Sequence, residues 1–596
     1  MKTSKKRRLV IVLGFDGLDP ALLEQLMGEG KLPNFSRLSS NGIFSPLQTS
    51  VPPQSPVAWT TIATGRQPGV HGVFDFLTRD AGEYLPKSNI LKQGKLGYIR
   101  TFHTKTFWEV ASENGIPATI LKWPLTFPAT PLKGSLLTGL GTPDIRGTLG
   151  IYSFFTTRDI SDQGRKKGMI HRVSQTGDTV KATIVGPLKF SFRATKEATI
   201  PLEIRLGDDH IVCCLDGQTF TVPVGSWSPW IPVTFKVGLM QTAKGLCRFF
   251  LESIKPDFNL YMTPINIGNT VKSPPISYPP GYAGRLAQEI GPFSTLGLAE
   301  DANALDDEII GEEAFLAGCN TIMQERESLF FSALENFTEG ILACVFDTTD
   351  RIQHMFWRYI DASHPLHDIS GAAKYDWVIP SYYERADAIV GQVLDRFGKD
   401  ALILVCSDHG FASYRRSVHL NDWLVENGFM NLEPGRGVGV PLFDGVDWPA
   451  TRAYALGLNS LFLNVKNRET KGVVAREQIG VLKQTLKSEL KAMHDLGEPV
   501  VREVYDVEDL GGREGKREAP DLIVCYEPGY RTSWQSALGE VTGEGIFADN
   551  MRKWSGDHCC DPAAVPGIFF ANEKHLLEKP HVKDVSPLIL NYLHIG

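Results

Sequence analysis

Leu9–Asp16 reads LVIVLGFD, an unbroken apolar run that ends on a carboxylate. A strand this apolar on both faces is expected in a parallel sheet covered by helices on each side. The residues after it support that reading. Asp19 is suited to cap a helix with Pro20 in its first position, and Leu22, Leu23, Leu26 and Met27 form an apolar stripe. Thr106–Asn114 repeats the helical pattern, stops at Gly115 and leads into a strand over Ile116–Lys122. The rhythm returns near residue 310, with helices over Glu312–Phe337 and Tyr382–Phe397 and strands over Ile341–Asp347 and Ala401–Ser407. Asp521–Cys525 and Gly567–Ala571 are expected to complete the sheet. The fold class is therefore α/β, a mostly parallel sheet sandwiched by helices.

Two stretches break the pattern. From about residue 165 to 240 the chain has short β-rich runs with period-two alternation and turn signals such as Thr176-Gly177-Asp178. This predicts an antiparallel β-rich insertion over residues 151–300, between a first core segment at 1–150 and a second at 301–430. Its aromatic edge, Trp227–Trp230 (WSPW), suits either core or partner surface. Residues 431–520 carry a Gly/Pro-rich loop, a charged helix over Ala475–His494 and the basic turn Arg513–Arg517, and read as a cap-like insertion; 521–596 form the last core segment.

A chain of 596 residues exceeds one ordinary core, so about two to four structural units are expected. With 42% hydrophobic and 22% charged residues it is not a disordered polymer. The net charge of −7 argues against bulk attraction to nucleic acid, but not against a small phosphorylated substrate in a local positive pocket. The opening MKTSKKRR resembles the start of a signal peptide, yet the apolar run behind it is short, ends at Asp16 and lacks a cleavage site. No stretch approaches the ~20 apolar residues of a membrane span. A soluble cytoplasmic protein is the expectation. Nine scattered cysteines without a CxxC agree, reading as buried reduced thiols; the adjacent pairs Cys213–Cys214 and Cys559–Cys560 are poorly placed to chelate one ion.

In open parallel sheets, ligands collect at the carboxyl ends of strands. Asp16, the pair Asp347 and Asp350, and Asp408-His409 all stand at such ends. Asp350 and His354 are four apart, so a helix there puts both on one face, able to hold a single ion. Asp347 is the rival ligand and reads as a partner that orients the site from behind. In VPPQSPVAWTTIATGRQPGVHG (Val51–Gly72), Ser55 precedes a helix over Val57–Thr64, where backbone amides and the dipole favour an anion. A plain serine cap would look the same.

Taken together, these segments resemble the alkaline phosphatase superfamily, most closely its type I phosphodiesterase/nucleotide pyrophosphatase branch. The matching features are Asp16, the nucleophile stretch with Thr64-Gly65 and His71-Gly72, the D-x3-H of Asp350 and His354, Ser407–Gly410 (SDHG) and the late His558, all in the family's order. The resemblance implies an alkaline phosphatase-like fold and two divalent metal ions. One site would use Asp16, Asp408, His409 and the Ser55 oxygen; the other would use Asp350, His354 and His558. Such ligation suits zinc and tolerates manganese or iron. It implies hydrolysis of a phosphate ester, most often a diester or pyrophosphate, a nucleotide among the candidates, through a Ser55 nucleophile and a phosphoserine intermediate. Serine in place of the branch's common threonine is chemically conservative. An asparagine five residues after the HG histidine stabilises phosphate in relatives that cleave nucleotide diesters; here that position is Phe76. Arg66, Arg415, Arg416 and His419 are candidates to replace it. Ser55-Pro56-Val57-Ala58-Trp59 does not fit the sulfatase nucleophile motif, and membrane-embedded phosphoethanolamine transferases need spans that are missing. A phosphomonoesterase or phosphomutase, or a scaffold with a vestigial site, are the alternatives.

Overall fold

The computed structural model of the chain describes residues 8–95, 97–160, 166–189, 196–269, 274–512, 517–574 and 576–595. The basic stretch before Arg8 and most of the Arg513–Arg517 turn lie outside these. The chain divides into two units, one formed by Met1–Ala118 with Thr338–Gly596, the other by Thr119–Phe337. These borders fall before 150 and after 300, wider than the period-two pattern suggested.

At the centre of the first unit lies Leu9–Phe15, hydrogen-bonded in parallel to Gly340–Phe346 on one side and Ala401–Cys406 on the other. All three strands are buried, which explains their unbroken apolar runs. Gly567–Ala571 joins Ala401–Cys406 antiparallel, and Ile43–Leu47 pairs antiparallel with Gly567–Ala571. The helix after the first strand is Pro20–Gly28, with Asp19 Oδ1 accepting from the amides of Ala21 and Leu22, both at 3.0 Å. Phe107–Glu113 is capped by Thr106 and Glu109 acting reciprocally.

Sequence misplaced one strand. Leu522–Tyr526 does not complete the central sheet. It belongs to a separate antiparallel sheet with Ala453–Ala455, Ser460–Leu463 and Val501–Asp506. A buried apolar strand looks the same in either sheet, so the run LIVCY could not reveal its partners. The second sheet therefore crosses the predicted boundary at residue 520, and its apolar core includes Tyr454, Phe462, Leu486 and Val524. The charged helix beside it is Ile479–Lys491.

The second unit contains the β-rich segment. Thr179–Leu188, Glu197–Leu206, His210–Leu215 and Gln218–Pro223 form an antiparallel meander. Alternate residues Val180, Ile184, Leu202 and Ile204 enter a core shared with Val233 and Phe235 of a three-stranded sheet, and with Phe249 and Leu260 of a five-stranded one. Trp227 and Trp230 are half-buried, donating to Ala314 O at 3.0 Å and Glu325 Oε1 at 2.7 Å. Among the described residues, no helix is long and apolar enough to cross a membrane.

Gly14 shows how tightly the first strand is packed. A Cβ there would stand 2.5 Å from the Trp59 ring, and Trp59 in turn donates to Asp16 Oδ2 at 2.9 Å. Gly14→Ala should cost about 1–3 kcal/mol of stability by overpacking, read from urea unfolding.

Candidate active site

Each strand of the parallel trio delivers a carboxylate at its carboxyl end. Asp16 follows Leu9–Phe15, Asp408 follows Ala401–Cys406, and Asp350 lies in the first turn of Thr348–Phe356, the helix entered from Gly340–Phe346. All three are buried, as are His354, His409 and His558. Ser55 opens the helix Ser55–Thr64, every residue of which is buried.

The Ser55 hydroxyl lies 3.1 Å from His409 Nε2 and 3.3 Å from Asp16 Oδ1. His409 Nε2 is also 3.2 Å from Asp408 Oδ2 and 3.6 Å from Asp16 Oδ1. On the other side, Asp350 Oδ1 lies 3.2 Å from His354 Nε2 and 3.7 Å from His558 Nε2. The rings of His409 and His558 stack at 3.6 Å between centroids, joining the two halves. Among the described residues, three sets of side-chain atoms converge closely enough to hold an ion: Asp16, Asp408 and His409; Asp350, His409 and His558; and Asp557, His558 and Cys559, with His354 in none of them.

The imidazole orientations tell most. Nδ1 of His354 is 2.6 Å from Gly556 O, Nδ1 of His558 is 2.6 Å from Pro53 O, and Nδ1 of His409 is 3.1 Å from Gly410 O. A carbonyl only accepts, so each Nδ1 carries the proton and each Nε2 is turned toward carboxylate oxygens; in His409 and His558, where burial favours the neutral ring, that nitrogen presents a lone pair. Asp350 Oδ1 and Asp408 Oδ2 are buried and accept no hydrogen bond. Lone pairs facing lone pairs in a desolvated pocket repel, unless a cation lies between them. The donor set of carboxylates and neutral imidazoles fits zinc, manganese or iron.

The electrostatics agree. Burial, then the Asp408 and Asp350 carboxylates, hold Asp16 well above the usual carboxylate range. Burial and Asp350 do the same to Asp408. Burial also acts on Asp350, but His354, Arg351 and His558 outweigh it and hold its carboxyl well below the usual range. Burial and the neighbouring His558 press His409 well below its ordinary value, and burial lowers His558 to about 4. Neutral imidazoles are the ligating form.

Other sequence candidates lie elsewhere. Arg66 is exposed beyond the far end of the Ser55–Thr64 helix, about 15 Å from Ser55 at the helical rise. Arg415 forks onto Asp361 at 2.7 and 2.8 Å, and Arg416 is held by Asp495 and Asp549. His419 Nδ1 lies 2.9 Å from Ser533 Oγ. Asp347 stands at the N-cap of Thr348–Phe356, outside the converging sets. The arginine brought to the cluster is Arg351, donating to Asp350 Oδ2 at 2.8 Å. The helix amides offer less than expected: Pro56 has none, and those of Val57 and Ala58 donate to Gln54 O. Phe76 is half-buried against Leu458, Ala537 and Cys559, with Trp534 packed on the same floor.

Sequence reading missed a buried network behind Ser55. Gln54 Nε2 donates to Asp75 Oδ2 at 3.1 Å and to Asn459 Oδ1 at 2.9 Å. Asn459 Nδ2 donates to Cys559 O at 3.0 Å and Val524 O at 2.9 Å. One amide thus ties the residue before Ser55 to the residue after His558. Polar residues in loops far apart in sequence give no pattern that would reveal this. Trp59 was within reach, since it sits four residues after Ser55 on the same helix face.

Buried carboxylates at parallel strand ends, interleaved with oriented imidazoles, define a site built for divalent cations and the anions they bind. A family model described as type I phosphodiesterase / nucleotide pyrophosphatase matches residues 10–183 and 287–545, and the chain belongs to that family of phosphoester hydrolases. Among solved structures, a phosphonoacetate hydrolase from Sinorhizobium meliloti in complex with phosphonoformate aligns over 99% of this chain and 96% of that one, at 12% identity and a TM-score of 0.46. An inactive murine ectonucleotide pyrophosphatase/phosphodiesterase 5 in complex with AMP aligns over 99% and 96%, at 11% identity and a TM-score of 0.40. No curated protein sequence matches the chain.

Two outcomes follow for this site. Chelating divalent cations should lower the thermal midpoint, and zinc or manganese should restore it. At a hundredfold excess over Kd one folded-state site contributes about 2.7 kcal/mol; scanning calorimetry of wild type and Asp408→Asn, which should lose most of the recovery, checks this. Asn459→Ala strips partners from Gln54, Val524 and Cys559. It should cost roughly 2–4 kcal/mol in urea unfolding, from about 1–3 kcal/mol per buried group left unpaired, and slow turnover as well.

Proposed function

We propose that the chain hydrolyses phosphate diesters or pyrophosphates, with Ser55 as nucleophile, on a centre holding two divalent cations, zinc the best fit. The observation that carries this reading is the set of imidazole Nε2 atoms turned toward buried carboxylate oxygens beside a buried serine hydroxyl. Asp16, Asp408, His409 and the Ser55 oxygen would hold one cation; Asp350, His354 and His558 the other. Bound there, the cations would lower the pKa of the serine hydroxyl and neutralise phosphate charge.

The protein's own groups do the positioning. Trp59 fixes the Asp16 carboxylate, and the backbone carbonyls of Pro53, Gly410 and Gly556 fix the three rings. Ser55 Oγ would give up its proton and bond to phosphorus as the P–O bond on the opposite side breaks; the leaving oxygen departs and takes up a proton, and the phosphoserine formed keeps the remaining ester group. Water would then add to phosphorus, the Ser55 oxygen would leave and regain a proton, and the phosphate monoester would be released. Burial of the cluster excludes competing water until substrate enters. A nucleotide substrate is compatible with this arrangement; one relative carries AMP. Phe76 offers no hydrogen bond where those nucleotide-cleaving relatives have an amide, so phosphate contacts would come from the cations and Arg351.

The test is hydrolysis of bis-p-nitrophenyl phosphate against p-nitrophenyl phosphate with zinc or manganese. Wild type should prefer the diester, and Ser55→Ala should lose at least about a thousandfold in kcat while still binding metal. Preference for the monoester would replace the diesterase reading with a phosphatase. Undiminished turnover by Ser55→Ala would remove the serine nucleophile.

A further inference from the structure

We propose that one end of the β-rich unit docks on an anionic lipid surface through an apolar hairpin tip with a lysine collar. Ile231–Lys236 and Thr242–Cys247 form an antiparallel hairpin whose last pair is Lys236 with Thr242. The turn closes through the amides of Val237 and Gly238, both donating to Gln241 O, at 3.0 and 3.2 Å. Leu239 and Met240 fill the tip and are fully exposed. Tight turns ordinarily take Gly, Asn, Asp or Ser, which tolerate the backbone and solvate well. Leucine and methionine do neither, and no apolar neighbour covers them.

The surroundings say what does. The adjoining hairpin of Thr179–Leu188 and Glu197–Leu206 reaches the same end, since Gly186 packs against the Phe235 ring and Lys189 N donates to Lys196 O. Leu188 there is more than half exposed. Lys189, Lys196, Lys236 and Lys244 are exposed around this end, and none of them forms an ion pair among the described residues. Of the acids near these lysines, Glu197 is committed to Arg146 at 2.8 Å and Asp216 accepts from the Thr234 amide at 2.8 Å. Such a concentration of positive charge in a chain of net charge −7 is local, not a bulk property.

A protruding apolar tip ringed by lysines suits a bilayer interface. The leucine and methionine enter the acyl boundary while the lysine stems lie along it and their ammonium groups reach anionic headgroups. Protein partners favour aromatic, methionine and arginine anchors with lysine depleted, so the lysine collar, not Met240, is what points to lipid. The contact lies on a membrane and does not span it, and it is independent of the chemistry at Ser55.

The experiment is co-sedimentation of the full chain with phosphatidylcholine vesicles and with equimolar phosphatidylcholine/phosphatidylserine vesicles, at low salt and about 0.15 M salt. Binding is expected to the anionic vesicles, weakening with salt. Leu239→Ser with Met240→Ser should weaken partition about tenfold or more, and Lys236→Glu with Lys244→Glu by roughly fivefold per lysine. Both variants should keep the wild-type thermal midpoint and hydrolysis of a soluble diester. Equal binding to neutral vesicles, no sedimentation of wild type, or variants that sediment like wild type would each overturn the proposal. So would a concentration-dependent dimer that the Leu239→Ser/Met240→Ser variant dissociates, which would assign the tip to self-association.

Discussion

Everything at this site follows from gathering three carboxylates, Asp16, Asp350 and Asp408, at the ends of three adjacent parallel strands and removing water from all of them. Like charges so placed repel, and burial sharpens the repulsion because little solvent screens it. The fold answers with fixed dipoles. The Trp59 indole donates to Asp16, the Gly17 amide lies 3.3 Å from Asp408 Oδ1, and Arg351 donates to Asp350. What these leave uncompensated is aimed inward, at the places where imidazole lone pairs also point. That residual repulsion is what a cation held between them would relieve.

That constraint explains which parts were legible in sequence. Buried parallel strands must be apolar throughout, so LVIVLGF, ILACVF and ALILVC announce themselves, and Asp16, Asp350 and Asp408 stand out within a few residues of their ends. The D-x3-H spacing of Asp350 and His354 is set by one helical turn and reads directly. His558 carries no local signal; its place depended on its order after SDHG. A basic side chain in a loop is equally suited to any nearby acid, and Arg415 and Arg416 pair with Asp361, Asp495 and Asp549. The strand Leu522–Tyr526 failed for the complementary reason: burial is visible in sequence, but pairing partners are not.

The region expected to cap the site is better understood as part of its floor. Asn459 lies in the turn between Ala453–Ala455 and Ser460–Leu463, within that second sheet, and its side chain joins Gln54 to the carbonyl of Cys559. Asp75 is fastened to the same turn, accepting from the amides of Leu458 and Asn459 at 2.8 and 3.2 Å. Swinging the sheet away as a lid would break these buried bonds together, each leaving a group that costs about 1–3 kcal/mol unpaired. A moving lid needs elements drawn from the low-stability end of the structure, and this network is the opposite. The Ser55 helix, the late histidine and the second sheet are therefore held as one piece. Outside that fixed network, Phe76, Trp534 and Trp554 are only half-buried.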